Sequence, residues 1–186
     1  MAGGGPGAGR GRGRGTALLL HGRGGSGAAF GARVAGSALG EAVGLGEGGT
    51  RAWRAPDGTT PLGGGGFAWW AFPPGVSRSY EADEWLGAGA ALDAAAEAGR
   101  GCEFCLGFSQ GAMLLAVLLA RGRLPDCRVA VIAGAGWPRP FAEDLHGFRD
   151  RGGQPVGGSL IKPAVLHVTS EQIGRASCRE RVSTSV

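Results

Sequence analysis

Apolar and polar positions fall into short blocks along the chain, and glycine or proline ends most of them. The run "TALLLHG", Thr16 to Gly22, is apolar and closed by glycines, so it predicts a buried strand. A helix-compatible spacing follows over Ser26 to Val43, with Ser26 as its N-cap. "TRAWRAP", Thr50 to Pro56, is a second strand candidate. The Ala-rich segment Glu81 to Gly99 predicts a helix, with acids in its first turn and a glycine at its end. A strand over Cys102 to Leu106, a helix over Gln110 to Arg121, and strands at Arg128 to Gly134 and Pro163 to Val168 complete the pattern. Strands separated by helices imply a mostly parallel sheet with helices on both faces, an α/β fold.

Between these blocks, Pro56 to Gly75 shows no periodicity but concentrates Phe67, Trp69, Trp70 and Phe72. Such a loop lines an apolar ligand pocket or packs on the sheet as a flap, and at least one of its aromatics is expected to touch ligand.

Length adds one bound: 186 residues at 43% hydrophobic and 18% charged suit one folded domain with a sizeable core. The longest apolar run, Ala112 to Ala120, is too short to span a bilayer, and the N-terminus lacks a signal-peptide apolar region. A cytoplasmic protein with no membrane partner is the expectation.

The net charge of +4 is unevenly placed. Residues 1–15 hold Arg10, Arg12 and Arg14 and no acid, and residues 173–186 hold three arginines against Glu180, which leaves residues 16–172 at −1. That near-neutral part has no electrostatic footprint for DNA or RNA. The Arg-Gly head is similar to disordered RNA-binding segments but lacks their aromatics, so nucleic acid is not an expected partner and a disordered leader is. At the other end, "IGRASCRERV" reverse-translates to a sequence similar to a sequencing-library adapter. Residues 173–186 are therefore expected to be a non-native tail on a domain, 16–172, whose last part is missing.

The candidate chemistry centres on Ser109, in "CLGFSQGAMLLAVLLA". With 40 glycines and ten serines, composition alone supplies about half a G-x-S-x-G per chain, so the motif needs context. Context is present: a strand runs into it and a helix leaves it. That geometry holds a serine in a strained turn with its hydroxyl above the sheet edge, and glycines on either side let strand and helix pack closely. The Gln110 N–H is then the first oxyanion donor, at a helix N-terminus. The Arg23 N–H, in "HGRGG" after the first strand, is the second.

"LLLHGRGGSGAAF", "FAWW", "YEADEWL", "CLGFSQGAMLLAVLLA", "VAVIAGAGWPRP" and "PAVLHVTSEQ", in this order, resemble the FSH-type serine hydrolases, an α/β-hydrolase group, over about Leu18 to Gln172. The resemblance implies an α/β-hydrolase fold and hydrolysis of carboxylic esters or thioesters through an acyl-serine intermediate. The partner is then a small acyl ester or thioester, and no cofactor or metal is expected. His21, Gly22, Trp69 and Trp70 are the residues expected along the substrate, the "HG" pair having a structural part in the family. The alternative class is a non-catalytic module that binds an acyl ligand in the same pocket or tethers RNA by the Arg-Gly head.

A serine hydroxyl needs a His base, and the base needs an acid. The chain offers His21, His146 and His167. His21 sits in the oxyanion loop, His146 between strands, and His167 within the last strand. The resemblance places the acid at Ile173 and the catalytic His beyond it, so the 186-residue chain is expected to lack both and to be inactive. Cys102 and Cys105 form a C-x-x-C, but residues three apart on a regular strand face opposite sides, and a shared metal or disulfide is not expected.

Overall fold

A computed structural model describes residues 15–149 and 163–168, without the side chains of Tyr80, 146–149 and 167–168. All of the leader but Gly15, and the whole 173–186 tail, lie outside the described residues.

Five strands build the main sheet: β1 (Thr16–Leu20), β2 (Trp53–Arg54), β5 (Cys102–Phe108), β6 (Val129–Ala133) and β7 (Ala164–Val168). Their order is β2-β1-β5-β6-β7, and every neighbouring pair is parallel. β3 (Thr60–Pro61) and β4 (Phe67–Ala68) form a separate small antiparallel pair. The helices are α1 (Gly27–Ala35), α2 (Ala38–Ala42), α3 (Ala88–Ala98), α4 (Gln110–Ala120) and α5 (Ala142–Arg149).

Both sheet faces are covered, as the block pattern requires. On one, Leu18, Leu20, Cys105, Ala130 and Ile132 pack with Leu92 and Ala95 of α3 and Leu114 and Leu118 of α4. On the other, Ala17, Leu19, Phe104, Leu106 and Val131 pack with Val34 and Phe30 of α1. α4 is buried on nearly every side, which is why its sequence is apolar all round.

Three expected elements come out differently. The helix predicted over Ser26 to Val43 is two helices, because Ser37 is extended and caps a new start, its Oγ accepting from the Gly40 N–H at 3.1 Å. The helix predicted from Glu81 begins only at Ala88, after Gly87 at φ 83, so no acid occupies its first turn. Residues ahead of it are drawn away by tertiary contacts: Leu86 bridges Ala71, and Trp85 stacks on Trp70. The strand predicted over Thr50 to Pro56 reduces to the two residues of β2.

The cysteine expectation also needs correction. The β1–β5 register skips a residue, Thr16 facing Cys102 and Ala17 facing Phe104, so Glu103 is the extra residue of a bulge. The bulge resets the alternation. Cys102 and Cys105 therefore enter the same core layer, together with Cys127, and all three are free thiols. Burial pushes the Cys102 thiol up. A hydrogen bond with Cys127, and then burial, raise Cys105 far above the ordinary thiol range. Cys102 and Cys105 are core side chains, held protonated and away from solvent, while the hydrogen bond with Cys105 lowers the buried Cys127 thiol. Among the described residues no cluster of His, Cys, Asp or Glu suits a metal ion.

Candidate functional site

The site is built where β5 ends and α4 begins. Ser109 sits between them at φ 51 and ψ −114, and it is the non-glycine residue with positive φ among those described. Such a conformation costs on the order of 1–3 kcal/mol, so it persists only where neighbours impose it. Here they do. The Ser109 N–H donates to the Ala133 carbonyl at 2.9 Å at the end of β6. Its own carbonyl accepts from Ala112 and Met113 at 3.0 and 3.1 Å, which starts α4. Ser109 is partly exposed.

The flanking glycines have steric reasons. A Cβ on Gly107 would lie 2.5 Å from the Gly111 carbonyl oxygen and 2.7 Å from the Ala112 Cα. One on Gly111 would run into the Leu20 carbonyl and lie 2.6 Å from that of His21. The first turn of α4 thus rests directly on β5 and on the end of β1.

That contact brings the upstream loop to the serine. A Cβ on Gly22 would come within 3.2 Å of the Ser109 Cβ and 3.0 Å of the Phe108 ring. The Arg23 N–H follows immediately, and neither it nor the Gln110 N–H meets an acceptor among the described residues. Both are backbone donors of the kind that an oxyanion requires.

His21 lies behind this surface. It is 1% exposed, its Nε2 accepts from the Gly58 N–H at 2.9 Å, and its Nδ1–H donates to the Gly22 carbonyl at 2.7 Å. Accepting at Nε2 fixes the proton on Nδ1, so both nitrogens are committed to backbone groups. The ring also stacks on Trp69, with centroids 5.1 Å apart. The expectation that His21 lines the substrate is therefore corrected to a structural role.

Trp69 and Trp70 are corrected in the same way, for neither exposes any surface. The Trp69 Nε1–H donates to the His21 carbonyl at 2.8 Å. Trp70 stacks on Trp85 at 3.7 Å and 5°, and Trp85 in turn meets Phe141. The loop is a flap packed on the sheet. What fastens it is the Gln110 side chain, 1% exposed, whose Oε1 accepts from the Trp69 N–H at 2.9 Å and whose Nε2–H donates to the Trp70 carbonyl at 3.3 Å.

The residues that do reach the open surface are others. Phe108 is 50% exposed and stacks on Phe30 at 6.5 Å. The exposed Arg23 guanidinium lies 4.4 Å over the Phe72 ring and donates to the Trp70 carbonyl at 3.4 Å. Phe108 is legible as the residue before the serine, where a strand's last side chain clears the sheet. The Gln110 side chain and Gly58 carry no such signal, since their partners are distant in sequence.

His146 and His167 have side chains outside the described residues. Among the described side chains, then, no imidazole is free to serve Ser109. A shallow cavity of 460 Å³ is lined by Glu41, Glu47, Thr50 and glycines, but it precedes β2 at the N-terminal ends of the strands. Ser109 lies beyond the C-terminal end of β5, the edge at which open α/β sheets place their chemistry.

No protein-family model and no curated protein sequence matches the chain. Among solved structures it is similar to esterase PE8, at 25% identity and a TM-score of 0.52, over 84% of this chain and 68% of that one. Together with the parallel sheet and its helices, this neighbour defines an α/β-hydrolase fold. It supports a hydrolase-type function in general, and it points to a hydrolase-fold relative without singling out the FSH group.

Among the described residues, no helix is long and apolar enough to cross a membrane.

Proposed function

We propose that this protein is a serine hydrolase of the FSH type, cleaving small carboxylic esters or thioesters through an acyl-serine intermediate. The single observation that carries the reading is the backbone of Ser109: a strained, partly exposed serine at a strand-to-helix elbow, flanked by glycines that backbone contacts demand. The esterase neighbour supports the same chemistry.

Ser109 Oγ attacks the substrate carbonyl and the bond to the leaving oxygen or sulfur breaks. The negative charge that develops on the carbonyl oxygen meets the Gln110 and Arg23 N–H groups, which are already oriented and need no reorganisation. A base must take the serine proton, and His21 cannot, with both nitrogens held by backbone. On this reading the 186-residue chain turns esters over slowly. Loss of the base alone costs on the order of a millionfold in a well-studied triad enzyme.

The test is labelling by a fluorophosphonate, followed by mass spectrometry of the modified peptide. Ser109 takes the label, slowly while no base assists it, and Ser109→Ala abolishes it. Undiminished labelling, or ester turnover at full rate in Ser109→Ala, excludes the assignment. Fast turnover by the 186-residue chain that disappears in His146→Ala or His167→Ala identifies the base instead.

A further inference from the structure

We propose that the Arg23 guanidinium recognises a carboxylate on the ester, so that the substrates this site prefers are anionic esters rather than neutral ones. The inference deepens the hydrolase reading and rests on it for the position of the reacting carbonyl.

Arg23 differs from five arginines of the fold in what it meets. Arg100, Arg121, Arg123, Arg128 and Arg139 each meet a carboxylate, with Glu97, Asp144, Asp93, Glu103 and Asp83 respectively, at 2.7 to 3.8 Å. Arg23 meets none among the described residues, although it is exposed. Nor is it loose. Its guanidinium carbon lies over the Phe72 ring and one N–H donates to the Trp70 carbonyl. A guanidinium carries five donors, so a fork able to take a carboxylate stays unclaimed.

Its position ties it to the nucleophile twice. Through the chain, Arg23 follows Gly22, whose Cα abuts Ser109. Through space, the Trp70 carbonyl that receives Arg23 Nη1–H also receives Gln110 Nε2–H, and Gln110 is the residue after Ser109. A stacked, pre-oriented cation at the mouth of a serine site selects for charge. Phe108 on Phe30, beside Gly22, is apolar and suits the uncharged part of the same molecule.

The carboxylate can belong to the acyl or the alcohol part, and two pairs of probes separate them. Mono-p-nitrophenyl glutarate is compared with its methyl ester, and 4-acetoxybenzoate with methyl 4-acetoxybenzoate, reading the second-order rate of Ser109 acylation. The anionic member of at least one pair is favoured about tenfold, the size of one exposed charge-assisted contact. Arg23→Gln removes that preference, Arg23→Lys restores part of it, and added salt weakens it in the unmutated protein. Using the ratio within each pair cancels any change in overall rate.

Absence of a preference in both pairs, or a preference that survives in Arg23→Gln, overturns the proposal. Failure of the underlying reading looks different: Ser109 takes neither ester nor fluorophosphonate. In that event tryptophan fluorescence decides, since Trp70 adjoins the guanidinium. Saturable quenching by monoethyl glutarate but not diethyl glutarate, lost in Arg23→Gln, supports recognition of the carboxylate; equal responses to the two overturn it.

Discussion

Two glycine-rich stretches of this chain look alike in sequence and behave as opposites. In Gly107 to Gly111, a methyl group at either glycine would strike backbone, and the serine between them is forced into a left-handed conformation. In Gly63 to Gly65, a Cβ on any of the three would meet nothing within 4 Å. The first stretch needs its glycines for close approach of two elements; the second has open space around it and needs Gly64 and Gly65 only for their positive φ. A motif that composition alone produces readily is thus distinguished by what lies against it.

The comparison breaks most sharply on substitution. Gly111→Ala forces the methyl into the carbonyls of Leu20, the last residue of β1, and His21, whose ring is fixed to backbone on both nitrogens. A loss of about 3 kcal/mol or more is expected from overpacking of this kind, with Gly107→Ala close behind. Urea denaturation of each variant measures it. A loss under 1 kcal/mol would mean that strand and helix separate cheaply there, and the elbow geometry would lose its steric basis.

Next in size is the clamp between the elbow and the flap. Gln110→Ala leaves the buried Trp69 N–H without its acceptor and removes a donor from the Trp70 carbonyl. The Trp70 carbonyl keeps its Arg23 donor, so the cost is that of one unsatisfied buried group, roughly 1–3 kcal/mol. Tryptophan fluorescence during denaturation reports it directly. Should the flap unfold together with the sheet in the native protein but ahead of it in Gln110→Ala, the clamp is confirmed as the link between them.

The smallest effect has the opposite sign. Gly89 lies in α3, where a Cβ would meet nothing within 4 Å, so Gly89→Ala removes backbone freedom from the unfolded chain without a clash. A gain of about 0.5–1 kcal/mol is expected in thermal or urea melts. A loss at Gly89 as large as that at Gly111 would erase the distinction between packed and open glycines.

How far the site could be read from sequence follows the range of the forces involved. The strand-to-helix step at Ser109 and the two glycines are local, since one strand, one turn and one helix define them within a single stretch. The loop that supplies Arg23 is also marked locally, by an apolar strand that ends in glycines. The side chains expected along the substrate were a different matter. Trp69 and Trp70 announce a large apolar surface without saying which side covers it. Their burial depends on Trp85, Phe141 and the amide of Gln110, all distant along the chain. His21 carries the same ambiguity, removed only when Gly58 offers its N–H from another loop.

Taken by itself, the order of apolar blocks and breakers determined that strands and helices alternate, that the sheet is parallel, and that a serine stands at one strand's C-terminal end. Periodicity specifies which residues must leave water, and crossovers through helices leave few ways to arrange them. Only the tertiary structure decided the strand order, the bulge at Glu103 that turns Cys102 into the layer of Cys105, and the start of α3 at Ala88 instead of Glu81. It also decided which polar side chains are spent on the core, His21 and Gln110, and which groups meet no carboxylate or acceptor among the described residues, the Arg23 guanidinium and the Arg23 and Gln110 N–H groups respectively. The physical reason is that a buried polar group is defined by its partner, and these partners lie some 30 to 50 residues apart in the chain.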